Sequence, residues 1–504
     1  MKSYIIGIDQ STQGTKLLLF DEAGKICYKN AKVHAQHIDE RGWVEHDPEE
    51  IWENVKALVK EAVQAMELDG REIRAIGISN QRETAMAWNR ETGKPVYPAI
   101  VWQCARGAAI CEAIWGRGLA QNIADITGLP LSPYFSAAKL AWILQNVDGV
   151  NELMQAGKLC MGTIDSWLVY RMTKGQVFAT DFSNASRTQL FDIHQLKWSE
   201  EAAGAFGIDT SALAEVMDSD GTYGATDFDG ILASYVPIRA VFGDSHAALF
   251  GQGCQKPGMA KATYGTGSSV MMNIGKEPIR SEHGLATSLA WSISGEASYV
   301  LEGNINYTGA VITWLKDNLQ LISSPAETEA LAKGANPQDR SYFVPAFTGL
   351  GAPYWESDAT GLYTGITRLT GKKEMVRAAL DSIAYQIRDV VSIMEQESGH
   401  SLAALRVDGG PTKNGYLMQF QTDMLGCPVE VPDAAELSAI GVAYAAGIAI
   451  GIYDAATIFD QMERKSFRPD MPEARRDELL KGWQAAIRQT IHAVYDGCER
   501  INPY

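Results

Sequence analysis

Four segments of this sequence carry an apolar run into a turn equipped for phosphate or proton chemistry. The first is Tyr4–Ile8, followed by Asp9, Gln10, Ser11, Thr12, Gln13, Gly14 and Thr15. Backbone N–H groups in such a turn can cradle phosphate oxygens. A carboxylate at the strand end can hold Mg2+ directly or through water, because that ion takes oxygen ligands and keeps several waters. Lys16 adds one nearby cation. The competing reading is an ordinary hairpin turn. The second segment, Gly265-Thr266-Gly267-Ser268 after Ala262–Tyr264, offers the same equipment. Two such turns facing each other would hold a run of phosphates from both sides.

The third segment is Gly243-Asp244-Ser245-His246, after the short apolar run Ile238–Phe242. Phosphoryl transfer to an alcohol needs positioning, a metal and a carboxylate to accept the hydroxyl proton. Asp244 is therefore the better base, and His246 reads as a structural histidine because nothing in the sequence sets a partner beside it. The fourth is Arg406 to Gly410, a run ending on Asp408 and paired glycines. Paired glycines let a backbone approach a flat ligand, or they make a tight turn before the helix carrying Leu417, Met418 and Phe420. Arg82 and Glu83, adjacent at another strand end, set a donor fork beside an acceptor, which suits a polyol. Locally that pair reads first as a surface salt bridge. Neither Gly-x-x-x-x-Gly-Lys-Ser/Thr nor Gly-x-Gly-x-x-Gly occurs, so those routes to phosphate binding have no motif support.

The elements that must position these residues follow from the alternation of strand-like and helical patterns, which predicts an α/β protein. Tyr4–Ile8 is continuously apolar and reads as a central strand buried on both faces. Leu17–Phe20 and a run from Ile26, with Gly24 between them, predict an opening hairpin. Asp47 and Pro48 predict a helix start, as N-cap and first helical residue. Ile73–Ile78 is the next strand and delivers Arg82 and Glu83. The strand–turn–strand pattern recurs near residue 260, which predicts two domains of like architecture, 1–247 and 248–504.

The chain has 504 residues, 46% apolar and 21% charged, ordinary values for a packed protein. Lys plus Arg total 44 against 61 Asp plus Glu, a formal charge of −17. That balance argues against a nucleic-acid or anionic-membrane binder, and a phosphorylated ligand would have to be held by local devices. Seven cysteines, at 27, 104, 111, 160, 254, 427 and 498, form no C-x-x-C pair; a reducing cytoplasm is expected rather than a disulfide framework or zinc site. The longest uncharged stretch, Leu437 to Tyr453, is rich in Ala and Gly and reads as a buried helix packed closely on a neighbour rather than a membrane span.

Residues 134–146, from Tyr134 through Lys139 to Asn146, and residues 361–381, from Gly361 through Glu374 to Asp381, resemble the two signatures of the FGGY carbohydrate kinases. Residues 42–48, 79–84, 99–104, 183–187 and 344–354 are similar to its glycerol kinase-like branch. The resemblance runs over essentially the whole chain. It implies two actin-like (ribonuclease H-like) domains around an interdomain cleft, and an ATP-dependent kinase of a small polyol or ketose. By resemblance Asp244 is the base, and Asp9 with Asp244 holds Mg2+. Thr12, Gln13, Gly14, Lys16 and Thr266 contact the ATP phosphates. Gly309, Gly410 and Asn414 line the nucleoside end. Arg82, Glu83, Trp102 and Tyr134 hold the polyol. A homodimer or homotetramer is expected.

Three departures stand out. Lys16 replaces an Arg and loses its fork. Ser245 replaces a Gln after the base. Ser269 replaces a Phe after the Gly-Thr-Gly turn. The two serines predict a pocket enlarged beyond glycerol, for a four- or five-carbon polyol or ketose; a true glycerol kinase, a xylulokinase-like pentulose kinase and a non-catalytic sugar or nucleotide sensor are the alternatives. Residues 228–234 stand where some members of the branch carry a cation-bearing regulatory loop, and neither that cation nor the regulatory histidine of other members is present, so such regulation is not expected here.

Overall fold

The computed structural model describes residues 2–69 and 71–495. Two mixed sheets dominate it. The first has six strands: β1 (Tyr4–Gln10), β2 (Gly14–Phe20), β3 (Ile26–Val33), β4 (Ile73–Asn80), β5 (Ala225–Thr226) and β6 (Val236–Gly243), in spatial order β5-β6-β4-β1-β2-β3. The second has seven: β7 (Ala260–Tyr264), β8 (Ser268–Gly275), β9 (Ala286–Ile293), β10 (Glu296–Ile305), β11 (Leu405–Gly409), β12 (Val429–Pro432) and β13 (Arg464–Phe467), in order β9-β10-β8-β7-β11-β12-β13.

The two sheets repeat one plan. In each, the leading strand is antiparallel to the next (β1 with β2, β7 with β8) and parallel to a later one (β1 with β4, β7 with β11). The two hydroxyl-rich turns therefore occupy equivalent positions, each in the tight connection of an antiparallel pair. β1 is buried along its whole length, as its unbroken apolar run predicts. The hairpin β2–β3 forms, and Asp47 caps the helix α1 (Pro48–Ala65) by accepting from Glu49 N–H at 2.9 Å.

Two helices lie between the sheets. α2 (Asp244–Gly251) follows β6, and α3 (Leu437–Ala449) packs on it and on the first sheet. Their shared core joins Ile5, Leu18 and Phe242 of the first sheet to Met271, Trp291 and Val300 of the second. The approach of α3 to α2 is close because Gly441 has no side chain; a Cβ there would stand 1.9 Å from the Ala247 carbonyl oxygen. The Ala/Gly-rich stretch from Leu437 is thus a buried helix, and among the described residues no helix is long and apolar enough to cross a membrane. The six described cysteines are free thiols, while Cys498 lies outside the described residues.

Candidate active site

β1 and β6 set two carboxylates at the same edge of the first sheet. In strand register Asp9 stands opposite Lys16 on β2 and Ser79 on β4, while Gly243, just before Asp244, stands opposite Asn80. Ser79 Oγ donates to Asp9 Oδ1 at 3.1 Å. Burial pushes the Asp9 carboxyl up to about 6, with Lys16 pulling it down and Asp244 pushing it up again. A buried acid whose proton affinity is raised by a partly exposed neighbour forms with it a hard-oxygen pair suited to a hard cation. Among the described residues no cluster of three or more His, Cys, Asp or Glu side chains could hold a metal, so a cation here would need phosphate and water oxygens to complete its shell.

The first turn is held from outside. Trp102 Nε1 donates to Thr12 Oγ1 at 2.9 Å, His34 Nε2 lies 3.1 Å from the Thr12 carbonyl oxygen, and Ser11 N–H donates to the Gly14 carbonyl at 2.8 Å. Trp102, expected at the polyol, thereby also braces the first turn, and its ring meets Tyr134 edge-on at 5.5 Å. Lys16 bridges to Glu436 at 2.7 Å. Burial pulls its ammonium down, but Glu436 and Asp9 outweigh that and leave it raised.

The second turn is locked to the start of the helix Gly309–Asp317. Gly309 N–H donates to Gly265 O at 2.9 Å, and Thr308 and Ala310 N–H donate to Thr266 O at 2.9 and 3.0 Å. Gly309 thus abuts the turn that carries Thr266. Asn414 caps the helix Gly415–Leu425 by accepting from Leu417 N–H at 3.0 Å, and its amide donates to Thr328 Oγ1 at 3.0 Å. Gly409 is the tight-turn glycine of its pair, with φ +101. Gly410 faces open space, where a Cβ would meet nothing within 4 Å.

Arg82 and Glu83 are not a surface pair. Their side chains are 6% and 2% exposed, and the 3.9 Å between them is the loosest link of a larger ladder. Arg82 Nη1 and Nη2 fork onto Glu302 Oε2 and Oε1, both at 2.9 Å, while Arg82 Nε reaches Asp244 Oδ1 at 3.3 Å. Arg187 Nε donates to Glu83 Oε1 at 2.6 Å, and its Nη1 lies 3.1 Å from Glu302 Oε2. Ser269 Oγ donates to Glu302 Oε1 at 3.0 Å. Burial works against ionisation of Glu302, yet Arg187 and Arg82 hold its carboxyl well below the usual range. Burial pushes Asp244 up, against the pull of Arg82. That suits a proton acceptor, as does its partial exposure of 33%. Ser245 N–H donates to Asp244 Oδ1 at 2.6 Å. His246 is sealed from solvent with Nε2 3.4 Å from Ser288 Oγ, and burial holds it well below its ordinary value, so it stays neutral.

The structure brings Asp9, Lys16, Thr12 and Trp102 together, and Arg82, Glu83 and Asp244 together; Thr266 and Gly309 form their own group. Sequence reasoning missed Glu302, Arg187 and the buried Lys261, whose ammonium donates to Thr263 Oγ1 at 2.8 Å. The available signal was an acid inside the apolar run Val300-Leu301-Glu302 and a lysine inside the strand Ala260–Tyr264, since a charge in a buried strand requires a partner.

Comparison with known proteins agrees with this geometry. The N-terminal domain model of the FGGY family of carbohydrate kinases matches residues 4–251, and its C-terminal domain model matches residues 260–450. A glycerol kinase of Carboxydothermus hydrogenoformans is 48% identical over 96% of this chain and 98% of its own. Glycerol kinase 1 of Thermotoga maritima is 47% identical over 97% and 99%. The crystal structure of Plasmodium falciparum glycerol kinase with ADP superposes with a TM-score of 0.93 at 34% identity, covering 97% of this chain and 98% of that one. A xylulose kinase of Lactobacillus acidophilus shares the fold, with a TM-score of 0.87 at 23% identity over 98% and 99%.

Proposed function

The chain belongs to the FGGY family of carbohydrate kinases, with the two actin-like domains of that fold. It is an ATP-dependent phosphotransferase acting on an alcohol, and we propose that its acceptor is glycerol, released as glycerol 3-phosphate. The observation that carries this reading is the identity across nearly the whole chain to relatives named glycerol kinase, whereas the xylulose kinase shares only the fold. That weighs against the enlarged pocket expected from Ser245 and Ser269. The Ser269 hydroxyl also has a task, donating to Glu302, which needs no longer substrate. Kinase family membership removes the non-catalytic sensor.

Asp244 accepts the proton of the acceptor hydroxyl as that oxygen bonds to the γ-phosphorus and the bond to ADP breaks. Arg82, Glu83, Trp102, Tyr134 and Ser245 orient the acceptor. Thr12, Gln13, Gly14, Lys16 and Thr266 take the phosphates, and Gly309, Gly410 and Asn414 the nucleoside. Asp9 and Asp244 would hold Mg2+, which supplies charge neutralisation at the transferring phosphate. Residues 1–247 supply the base, the acceptor contacts and the first-turn phosphate contacts, and residues 248–504 the second turn and the nucleoside contacts. We place the enzyme in the cytoplasm as a homodimer or homotetramer, without the cation-bearing regulatory loop that some members of its branch have in place of residues 228–234.

The test is ADP release on a panel of glycerol, erythritol, erythrulose, xylulose and ribulose. Glycerol should give the highest kcat/KM, and a tetrose or pentulose well above it would overturn the choice of acceptor. Asp244→Asn should lower kcat by about 10²–10⁴, the usual contribution of a general base.

A further inference from the structure

Glu302 carries none of the roles assigned above, yet it is the most heavily engaged carboxylate at the site. It stands on β10 of the second sheet with its side chain shut off from solvent. Both of its oxygens are taken: Oε1 accepts from Arg82 Nη2 and Ser269 Oγ, and Oε2 accepts from Arg82 Nη1, with Arg187 Nη1 beside it at ion-pair distance, 3.1 Å. Both arginines come from the first half of the chain, and each passes the contact on, Arg82 to Asp244 and Arg187 to Glu83. One carboxylate on one sheet therefore governs, through two guanidiniums, the two carboxylates proposed to meet the acceptor on the other.

A fork-on-fork pair fixes the plane of a guanidinium as well as its position. With both terminal nitrogens of Arg82 on Glu302, only its Nε edge is turned to Asp244. The terminal nitrogens carry four of the five N–H groups of an arginine, and a buried guanidinium must be paired. Without Glu302, the carboxylates of the ladder left to Arg82 and Arg187 are Asp244 and Glu83. A forked Arg82–Asp244 pair would then occupy the oxygens that a base needs.

We propose that Glu302 is a positioning residue that arms the acceptor site: it holds the forked end of Arg82 off Asp244 while Arg187 stays on Glu83, and it can do so only while the two halves are together. Ser269 aims it by donating to Oε1. The base is thus tied up when the halves part and freed when they enclose both substrates, which suppresses transfer of the phosphoryl group to water. This rests on Asp244 being the base.

The experiment compares wild type, Glu302→Gln, Glu302→Asp and the double variant Glu302→Gln/Arg187→Gln for glycerol-dependent ADP release and for melting temperature. Glu302→Gln should lose about 100-fold in kcat, with the KM for ATP within twofold of wild type. Glu302→Asp keeps the charge on a shorter arm and should recover about tenfold of that loss. The double variant removes one charge of each sign without restoring the fork and should stay slow. Wild-type kcat in Glu302→Gln, or in the double variant, would overturn the proposal, the second by reducing Glu302 to charge balance. Should Glu302→Gln fail to fold, the other two variants decide. A wild type inactive on every acceptor would overturn the proposed acceptor instead. The same variants are then ranked by acceptor-free ATP hydrolysis, where the same order is expected and equal rates would refute the role of Glu302.

Discussion

Single side chains at this site do their work by being buried with a chosen partner. Asp9, Asp244, Arg82 and Glu83 were legible in the sequence because each interrupts or ends an apolar run, and a polar residue at a strand end must be explained. Their partners were not legible. Arg82 finds Glu302 220 positions away, and Lys16 finds Glu436 420 positions away; only the pairing of sheets and helices creates those neighbours. Ser269 shows the same limit, since its small size suggests space and only the structure gives its hydroxyl an acceptor. Two glycines separate packing from ligand contact at this level. A Cβ on Gly267 would stand 2.4 Å from the Ile305 carbonyl oxygen. Gly267→Ala should therefore shift the second turn, cost about 1–3 kcal/mol of stability as overpacking does, and raise the KM for ATP. Gly410→Ala meets no protein atom, so its unfolding curve should match wild type while its KM for ATP rises. An unchanged KM would remove Gly410 from the nucleoside site.

Elements carried more of the sequence signal than their mutual placement did. The hairpin, the capped start of α1 and the Ala/Gly-rich buried helix follow from short-range pattern and appear as read. The seat of α3 on the first sheet, although it comes from the far end of the chain, does not follow from any local pattern. Nor does the task of Lys139 in the helix Ser136–Asn146. Its ammonium is fully buried and donates to the Pro133 and Phe135 carbonyls at 2.8 and 3.0 Å and to the Tyr134 carbonyl between them. It thereby fixes the loop that presents Tyr134. Burial lowers this amine to about 7, the nearby Glu83 offsetting part of the effect. An unfolded lysine releases its proton only near 10.4. Between those values the unfolded chain binds more protons than the folded one, so the cost of burying the charge, fully present below pH 7, fades as pH rises. The stability of wild type relative to Lys139→Met should grow between pH 7 and 9, by up to about 1.4 kcal/mol per unit. Urea unfolding of both proteins at pH 6.5 and 9 reads this, and a relative stability that does not change with pH would show that the carbonyls keep the amine charged.

The whole molecule carries a formal charge of −17, an adverse field for a chain that takes ATP. The site answers it locally. Turn N–H groups are neutral donors, Lys16 is tied to Glu436, and Arg82 and Arg187 are committed to Glu302, Asp244 and Glu83. The cations are thus arranged to hold acids in place more than to attract an anion from a distance. Long-range repulsion and short-range binding should then respond differently to salt. The Debye length falls from about 30 Å at 0.01 M to about 8 Å at 0.15 M ionic strength. Raising salt across that range screens the acidic surface from approaching ATP, while the buried ladder is barely screened. The KM for ATP at fixed excess Mg2+ should therefore fall about two- to fivefold between 10 and 150 mM KCl, on the scale of electrostatic steering acting in reverse. Over the same range kcat should change less than twofold, because the ion pairs around Glu302 and Glu83 lie out of solvent. A KM that rises with salt would mean that exposed cations at the turns dominate the encounter, and that the acidic surface has no part in the capture of nucleotide.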